Sequence, residues 1–115
     1  MSEMLLRVHR DDGAPSLCIT ETGFAVQEAA PADGMVDDTP RASYLASYLA
    51  EALSAYRQGV RLKGVFCRAA FDSWEWASGF TKQFGLIHVD QSTQTRMPTR
   101  CLAYYSRCIA SNTAM

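Results

Sequence analysis

Apolar positions recur along this chain with two different rhythms, and the clearer of them is helical. Tyr44, Leu45, Tyr48, Leu49, Ala52, Leu53 and Tyr56 form one stripe with a 3.6-residue repeat. Thr39 is placed to cap this helix, Pro40 suits its first turn and Gly59 its end. The tyrosines of the stripe read as packing residues. A shorter helix is predicted over residues 3–10 from Met4, Leu5, Val8 and His9, with Asp12-Gly13 as its stop. A third starts at Pro98 and carries Leu102, Tyr105 and Ile109 on one face.

The second rhythm is that of buried strands. Residues 17–20 and 62–71 are near-continuous apolar runs, the latter interrupted by Lys63 and Arg68. Residues 27–39, rich in Ala, Asp, Gly and Pro without apolar rhythm, read as a loop. Residues 72–81 form an aromatic loop, 84–89 a short extended segment, 90–95 a turn, and Arg96-Met97 its return. The predicted order is helix, strand, helix, strand, hairpin-like loop, helix. Strands of this kind alternating with helices belong to an α/β fold with a parallel sheet covered on both faces. Two such strands do not make a stable sheet alone, so the pattern asks for more strands than the chain has.

Composition narrows the class without naming a function. The 115 residues are one domain's worth, 48% hydrophobic and 20% charged, with a formal net charge of −1. No basic patch interleaved with aromatics favours nucleic acid. The apolar runs are too short to span a bilayer, and no charged-then-apolar leader opens the chain, so a cytoplasmic location with no membrane partner is the expectation.

Cys18, Cys67, Cys101 and Cys108 form no Cys-x-x-Cys pair, and neither His9 nor His88 is near a cysteine in sequence, so no metal is expected. Cys18 and Cys67 fall in the two apolar runs, where cysteine behaves as a small buried hydrophobe. A bond between them stays open, because neighbouring strands lie about 5 Å apart. Cys101 and Cys108 are separated by about 10 Å of helical rise, too far for a disulfide.

The chemistry-bearing residues stand where the strands end. The first run closes in Ile19-Thr20-Glu21-Thr22-Gly23; the second leads to Asp72-Ser73-Trp74-Glu75-Trp76, then Gly79-Phe80. A lone glutamate before a turn is usually only solvated. Carboxylates and tryptophans at the ends of successive buried strands are instead what a sugar-cleaving barrel places round its mouth. An ionised carboxylate accepts two charge-assisted bonds from neighbouring hydroxyls, and an indole covers the C–H face of a pyranose. Filling a core is the other use for the two tryptophans, and it fits Trp74 better than Trp76.

Together these segments resemble glycoside hydrolase family 1, the retaining β-glucosidases. That family carries its nucleophile in an Ile/Val-Thr-Glu-Asn-Gly stretch after the seventh barrel strand, matched here by Ile19 to Gly23 with Thr22 in place of Asn. Its eighth strand runs into Asp-Asn-Phe-Glu-Trp and then Arg-Phe-Gly-Leu, matched by Asp72 to Trp76 and by Gln83-Phe84-Gly85-Leu86. His88-Val89-Asp90, Thr95-Arg96-Met97-Pro98 and Ile109-Ala110-Ser111-Asn112 also resemble the family's end. The likeness covers the chain from Leu5 onward. Two linked motifs and a matching tail set aside an accidental likeness in an ordinary small α/β domain.

The resemblance implies that residues 1–115 are a single partial TIM-barrel domain, the C-terminal (βα)2 portion of a (β/α)8 barrel. It implies Glu21 as the catalytic nucleophile, and Glu75, Trp76 and Phe84 as substrate-binding residues for a β-glucoside or related sugar, with no cofactor. Two departures qualify it. The family's tryptophan seven positions before Glu75 is Arg68 here, a cation that offers no flat apolar floor to a sugar. The Asn-Glu-Pro stretch of the acid/base glutamate is absent from these residues, and a full barrel needs about 250. The first expectation is therefore a fragment or subunit of a retaining glycosidase that works with a complementing N-terminal barrel chain. The alternative is a non-catalytic, carbohydrate-binding or self-assembling relic, whose open strand edges would favour a homo-oligomer.

Overall fold

A computed structural model describes residues 1–25 and 34–114. Its elements run α1 (Ser2–Asp11), β1 (Ser16–Thr22), α2 (Thr39–Arg57), β2 (Arg61–Cys67), β3 (Ile87–Val89), β4 (Arg96–Pro98) and α3 (Arg100–Ser111), with a 3-10 turn at Trp76–Ser78. Strands β1 and β2 pair in parallel, pairing Leu17 with Leu62, Cys18 with Gly64 and Ile19 with Val65. The shorter β3 and β4 pair antiparallel, with His88 opposite Met97. Of the loop expected over residues 27–39, residues 27–33 lie outside the described residues, and the rest leads into α2 through Val36, which bridges Thr99.

The helices cover one face of the parallel pair. Leu17, Ile19 and Leu62 pack against Leu5 of α1, Ala55 of α2 and Val60. A second cluster joins Leu45 of α2, Leu86 and Cys101 of α3, with Cys67 and Tyr105 against it. Truncating a buried Leu such as Leu45 to Ala costs about 2–5 kcal/mol in a site of this kind. The opposite face of the sheet carries Cys18, Gly64 and Phe66: a Cβ on Gly64 would lie 3.3 Å from the Phe66 ring and 3.6 Å from the Cys18 sulfur. Phe66 is 57% exposed. The extents are 50 × 32 × 18 Å and the radius of gyration is 15.7 Å, against about 13 Å for a closed chain of this length. The shape is that of a thin wedge, one helical layer on one strand layer.

Several expectations move. Strand β2 ends at Cys67 rather than at residue 71. Beyond Arg68, whose N–H still bonds to Thr22 O, the chain leaves β1 and bonds to a later segment: Ala69 N–H donates to Phe84 O, and Leu86 N–H to Ala69 O. Cys18 is exposed, because alternation along β1 turns it to the uncovered face, and all four cysteines are free. In α1 the buried residue is Leu5, and Met4 faces outward. Asp38, not Thr39, holds the N-cap position of α2, while Thr39 donates its hydroxyl to Asp37 at 2.6 Å. Tyr56 of the predicted α2 stripe is exposed, and the stripe that is buried runs through Arg41, Leu45, Ala52 and Ala55. In α3 the cap is Thr99, whose hydroxyl accepts from Leu102 N–H, and the buried positions are Cys101 and Cys108 rather than Ile109.

Candidate functional site

Glu21 is the penultimate residue of β1, and Glu75 lies in the loop that follows β2. Because the two strands are parallel neighbours, their C-terminal ends deliver both carboxylates to one end of the sheet. Between them stands Arg68, the first residue after β2. Its backbone N–H donates to Thr22 O at 2.8 Å, which ties it to the end of β1. One terminal guanidinium nitrogen donates to both oxygens of Glu75, each at 2.8 Å. The other reaches Glu21 Oε2 at 3.3 Å. The guanidinium carbon lies 5.5 Å from the centre of the Phe84 ring, a cation–π contact.

Three of the four site residues expected from the sequence, Glu21, Glu75 and Phe84, thus meet around Arg68, which departs from the expected pattern. Burial ranks the contacts. The Glu75 side chain is 9% exposed and Glu21 66%, with Arg68 at 32%. The Glu75 pair is partly shielded and short, whereas the Glu21 contact is long and open to solvent, where such pairs contribute about 1 kcal/mol or less. The hydrogen bonds to Glu75 raise the Arg68 guanidinium above its ordinary value, desolvation opposes them, and Glu21 adds to the rise.

Trp76 stands differently. Its backbone is in the left-handed region, φ 48°, and its side chain is 81% exposed. A bulky residue held there costs about 1–3 kcal/mol and persists only where its surroundings fix the conformation. The turn is closed by Glu75 N–H donating to Gly79 O at 2.7 Å. Trp74 does not fill a core either; it is exposed and meets Phe80 edge-on, ring centres 5.4 Å apart. Thr22, at the position of the expected Asn, is buried, and its hydroxyl has no partner among the described residues. A buried hydroxyl in that state costs about 1–3 kcal/mol.

The loop carrying Phe84 is fixed from beneath by residues the sequence did not single out. Arg41, fully buried, donates to Asp38 at 2.9 Å, to Gln83 O at 2.8 Å, to Phe24 O at 3.2 Å and to Gly85 O. Asp38 accepts in turn from Cys101 N–H at 2.8 Å. From the other side Asp72 accepts from Gly85 N–H at 2.8 Å and Val89 N–H at 3.2 Å, and His88 Nδ1 lies 3.0 Å from it. Gly85 must be glycine, since a Cβ there would overlap the Asp72 amide nitrogen. The one signal for Arg41 was its place one turn before Leu45 on the stripe of α2. Among the described residues no group of three or more His, Cys, Asp or Glu could hold a metal ion. No helix among them is long and apolar enough to cross a membrane.

Comparison with known proteins bears on what this geometry belongs to. The sequence profile of glycosyl hydrolase family 1 matches residues 1–114. Beta-glucosidase A of Thermotoga maritima is 37% identical over 109 residues, which are 95% of this chain and 24% of that protein. Beta-glucosidase A of Acetivibrio thermocellus is 34% identical over 110 residues, 96% of this chain and 25% of that protein. The structure of the Thermotoga maritima β-glucosidase in complex with deoxynojirimycin superposes with a TM-score of 0.94 at 35% identity, over 99% of this chain and 26% of that one. The chain therefore spans about a quarter of the length of these relatives. With the profile matched almost end to end and the fold following a quarter of such an enzyme, the chain belongs to glycosyl hydrolase family 1.

Proposed function

We propose that residues 1–115 are the C-terminal (βα)2 portion of a retaining β-glucosidase-like barrel and supply its nucleophile and part of its sugar site. Glu21 attacks the anomeric carbon and forms the glycosyl–enzyme bond as the glycosidic C–O bond breaks. A second carboxylate protonates the leaving oxygen and later deprotonates the water that hydrolyses the intermediate. That second group has no counterpart in these residues and comes from the rest of the barrel, on the same polypeptide or on another. Glu75 accepts hydrogen bonds from sugar hydroxyls, Trp76 offers its ring to the pyranose, and Phe84 lines the same subsite. Covalent acid–base chemistry of this kind uses no cofactor.

What carries the reading is the convergence of Glu21 and Glu75 from the ends of two adjacent parallel strands onto one group. The exposed Cys18 and Phe66, the exposed Trp76 and the Thr22 hydroxyl, which has no partner among the described residues, support the view that further strands complete it. The test is release of nitrophenol from an aryl β-glucoside by the chain mixed with the first three quarters, roughly, of a relative's barrel. Hydrolysis that needs both parts and is lost in Glu21→Gln supports the proposal. Hydrolysis unaffected by Glu21→Gln rejects it.

The Arg68 network favours a second reading, a non-catalytic family member in which several copies cover one another's sheet faces. Light scattering separates the two: an oligomer in the absence of any barrel partner supports the second, a monomer the first.

A further inference from the structure

Arg68 takes up the same carboxylate oxygens that a bound sugar would need. We propose that the Arg68 guanidinium is an internal occupant of the sugar site, a latch that a ligand must displace from Glu75 and Glu21 before it can bind. This rests on the reading of those two carboxylates as sugar-site groups and adds the residue that controls access to them.

Both oxygens of Glu75 are taken by one nitrogen of Arg68 at 2.8 Å. Ser73 Oγ adds a longer contact to Oε1, at 3.4 Å. A sugar presenting two neighbouring hydroxyls to Glu75 would ask for the same lone pairs, and neutral hydroxyls are weaker donors than a guanidinium. Glu21 is engaged as well, at 3.3 Å, so one cation spans the hydroxyl acceptor and the nucleophile together. It also lowers the net charge of the cluster from −2 to −1, which weakens the attraction of the two carboxylates for positive charge.

The latch is held in place but can be released. Its backbone is anchored to Thr22 and its guanidinium rests on Phe84, yet the side chain is 32% exposed and the Glu21 contact is solvent-facing. Release therefore needs a ligand that replaces both the hydrogen bonds and the charge. The ligand class that does so is a polyhydroxylated amine in its ammonium form: its hydroxyls go to Glu75 and its positive charge stands in for the guanidinium. A neutral sugar brings only the hydroxyls and binds less well while Arg68 is present.

The experiment titrates the full chain and its Arg68→Gln and Arg68→Lys variants with 1-deoxynojirimycin and with glucose, following amide shifts of residues 68–85 by NMR. Far-UV circular dichroism first checks that each variant is folded. The slowed rotation of the Arg68 terminal nitrogens in the wild type, lost in Glu75→Gln, reports the ion pair directly. The expected result is that Arg68→Gln binds 1-deoxynojirimycin on the order of tenfold more tightly than wild type, with Arg68→Lys between them. Adding Glu75→Gln to Arg68→Gln removes the gain. Wild-type binding as tight as that of Arg68→Gln, or tighter, overturns the latch and leaves the sugar-site reading standing. Binding by neither, also when the rest of a relative's barrel is supplied and with the slowed Arg68 rotation intact, overturns it through failure of the sugar-site reading itself.

Discussion

Gly23 and Arg68 are packed so closely that a Cβ on Gly23 would overlap the Arg68 carbonyl oxygen. The glycine that follows Thr22 in β1 is thus required by contact, at the point where Arg68 N–H bonds to Thr22 O at 2.8 Å. Gly23→Ala must push the end of β1 from residue 68 and carry Glu21 away from the guanidinium. The expected loss of stability is about 1–3 kcal/mol, the usual cost of inserting a methylene into packed structure. Denaturant melting measures it. Gly34→Ala, where nothing lies within 4 Å of the added carbon, compares strain without overlap, because Gly34 has φ +73°.

Arg41 is a buried cation on an otherwise apolar stripe, and its partners include the Asp38 carboxylate and the backbone carbonyls of Phe24, Gln83 and Gly85. Arg41→Met leaves Asp38 buried without its counter-charge, for which about 3–5 kcal/mol is the expected destabilisation. Arg41→Met with Asp38→Asn recovers part of that, because the side-chain amide keeps an oxygen for Cys101 N–H without carrying a charge. Urea melts of the wild type, the single variant and the double variant check the order.

Asp90 sets an acid limit on the turn between β3 and β4. Hydrogen bonds from the Ser92 hydroxyl, then from the Thr93 and Ser92 amides, pull its carboxyl down to about 2. A carboxyl depressed on folding stabilises the folded turn above its unfolded value, about 3.9. That contribution fades as pH falls from there through about 2. The amide shifts of Ser92 and Thr93 should titrate with this low midpoint, and Asp90→Asn should abolish the titration.

The thiols report which faces are covered. Burial pushes Cys67 up to about 11 and Cys101 up to about 12, with Asp38 adding to the rise at Cys101. Both therefore stay protonated at pH 8, and only Cys18 combines exposure with a place on the open sheet face. Iodoacetamide at pH 8 should modify Cys18 first by at least about tenfold in rate, read by peptide mass mapping. Any chain that covers this face should protect it.

The helix α2 and the strand at residues 17–20 are legible in the sequence from their apolar periods, although the cap of α2 is Asp38 and its buried face runs through Arg41, Leu45, Ala52 and Ala55. Glu21 falls near the end of β1 for the same reason. The end of β2 is hidden: residues 69–71 are as apolar as those before them, and only their bonding to the segment 84–87 takes them out of the sheet. The exposure of Cys18 is hidden too, because an apolar run does not tell which face of a strand finds a cover. Arg41 and Asp38 escape notice because a buried ion pair looks like surface charge until its backbone acceptors, distant in sequence, are brought round it. Arg68 is legible as a departure, but its contact with two carboxylates and a ring exists only in three dimensions.

On the proposed function, Glu21 is a nucleophile whose site is completed by further strands and obstructed by Arg68. An activated 2-fluoro-β-glucoside tests it most directly, because its dinitrophenolate leaves without protonation and a glycosyl–enzyme bond accumulates for intact-mass analysis. The predicted result is a single sugar adduct, mapped to Glu21, that forms only when the rest of a barrel is supplied and forms faster in Arg68→Gln than in wild type. An adduct at another residue, or one that persists in Glu21→Gln, would contradict the account.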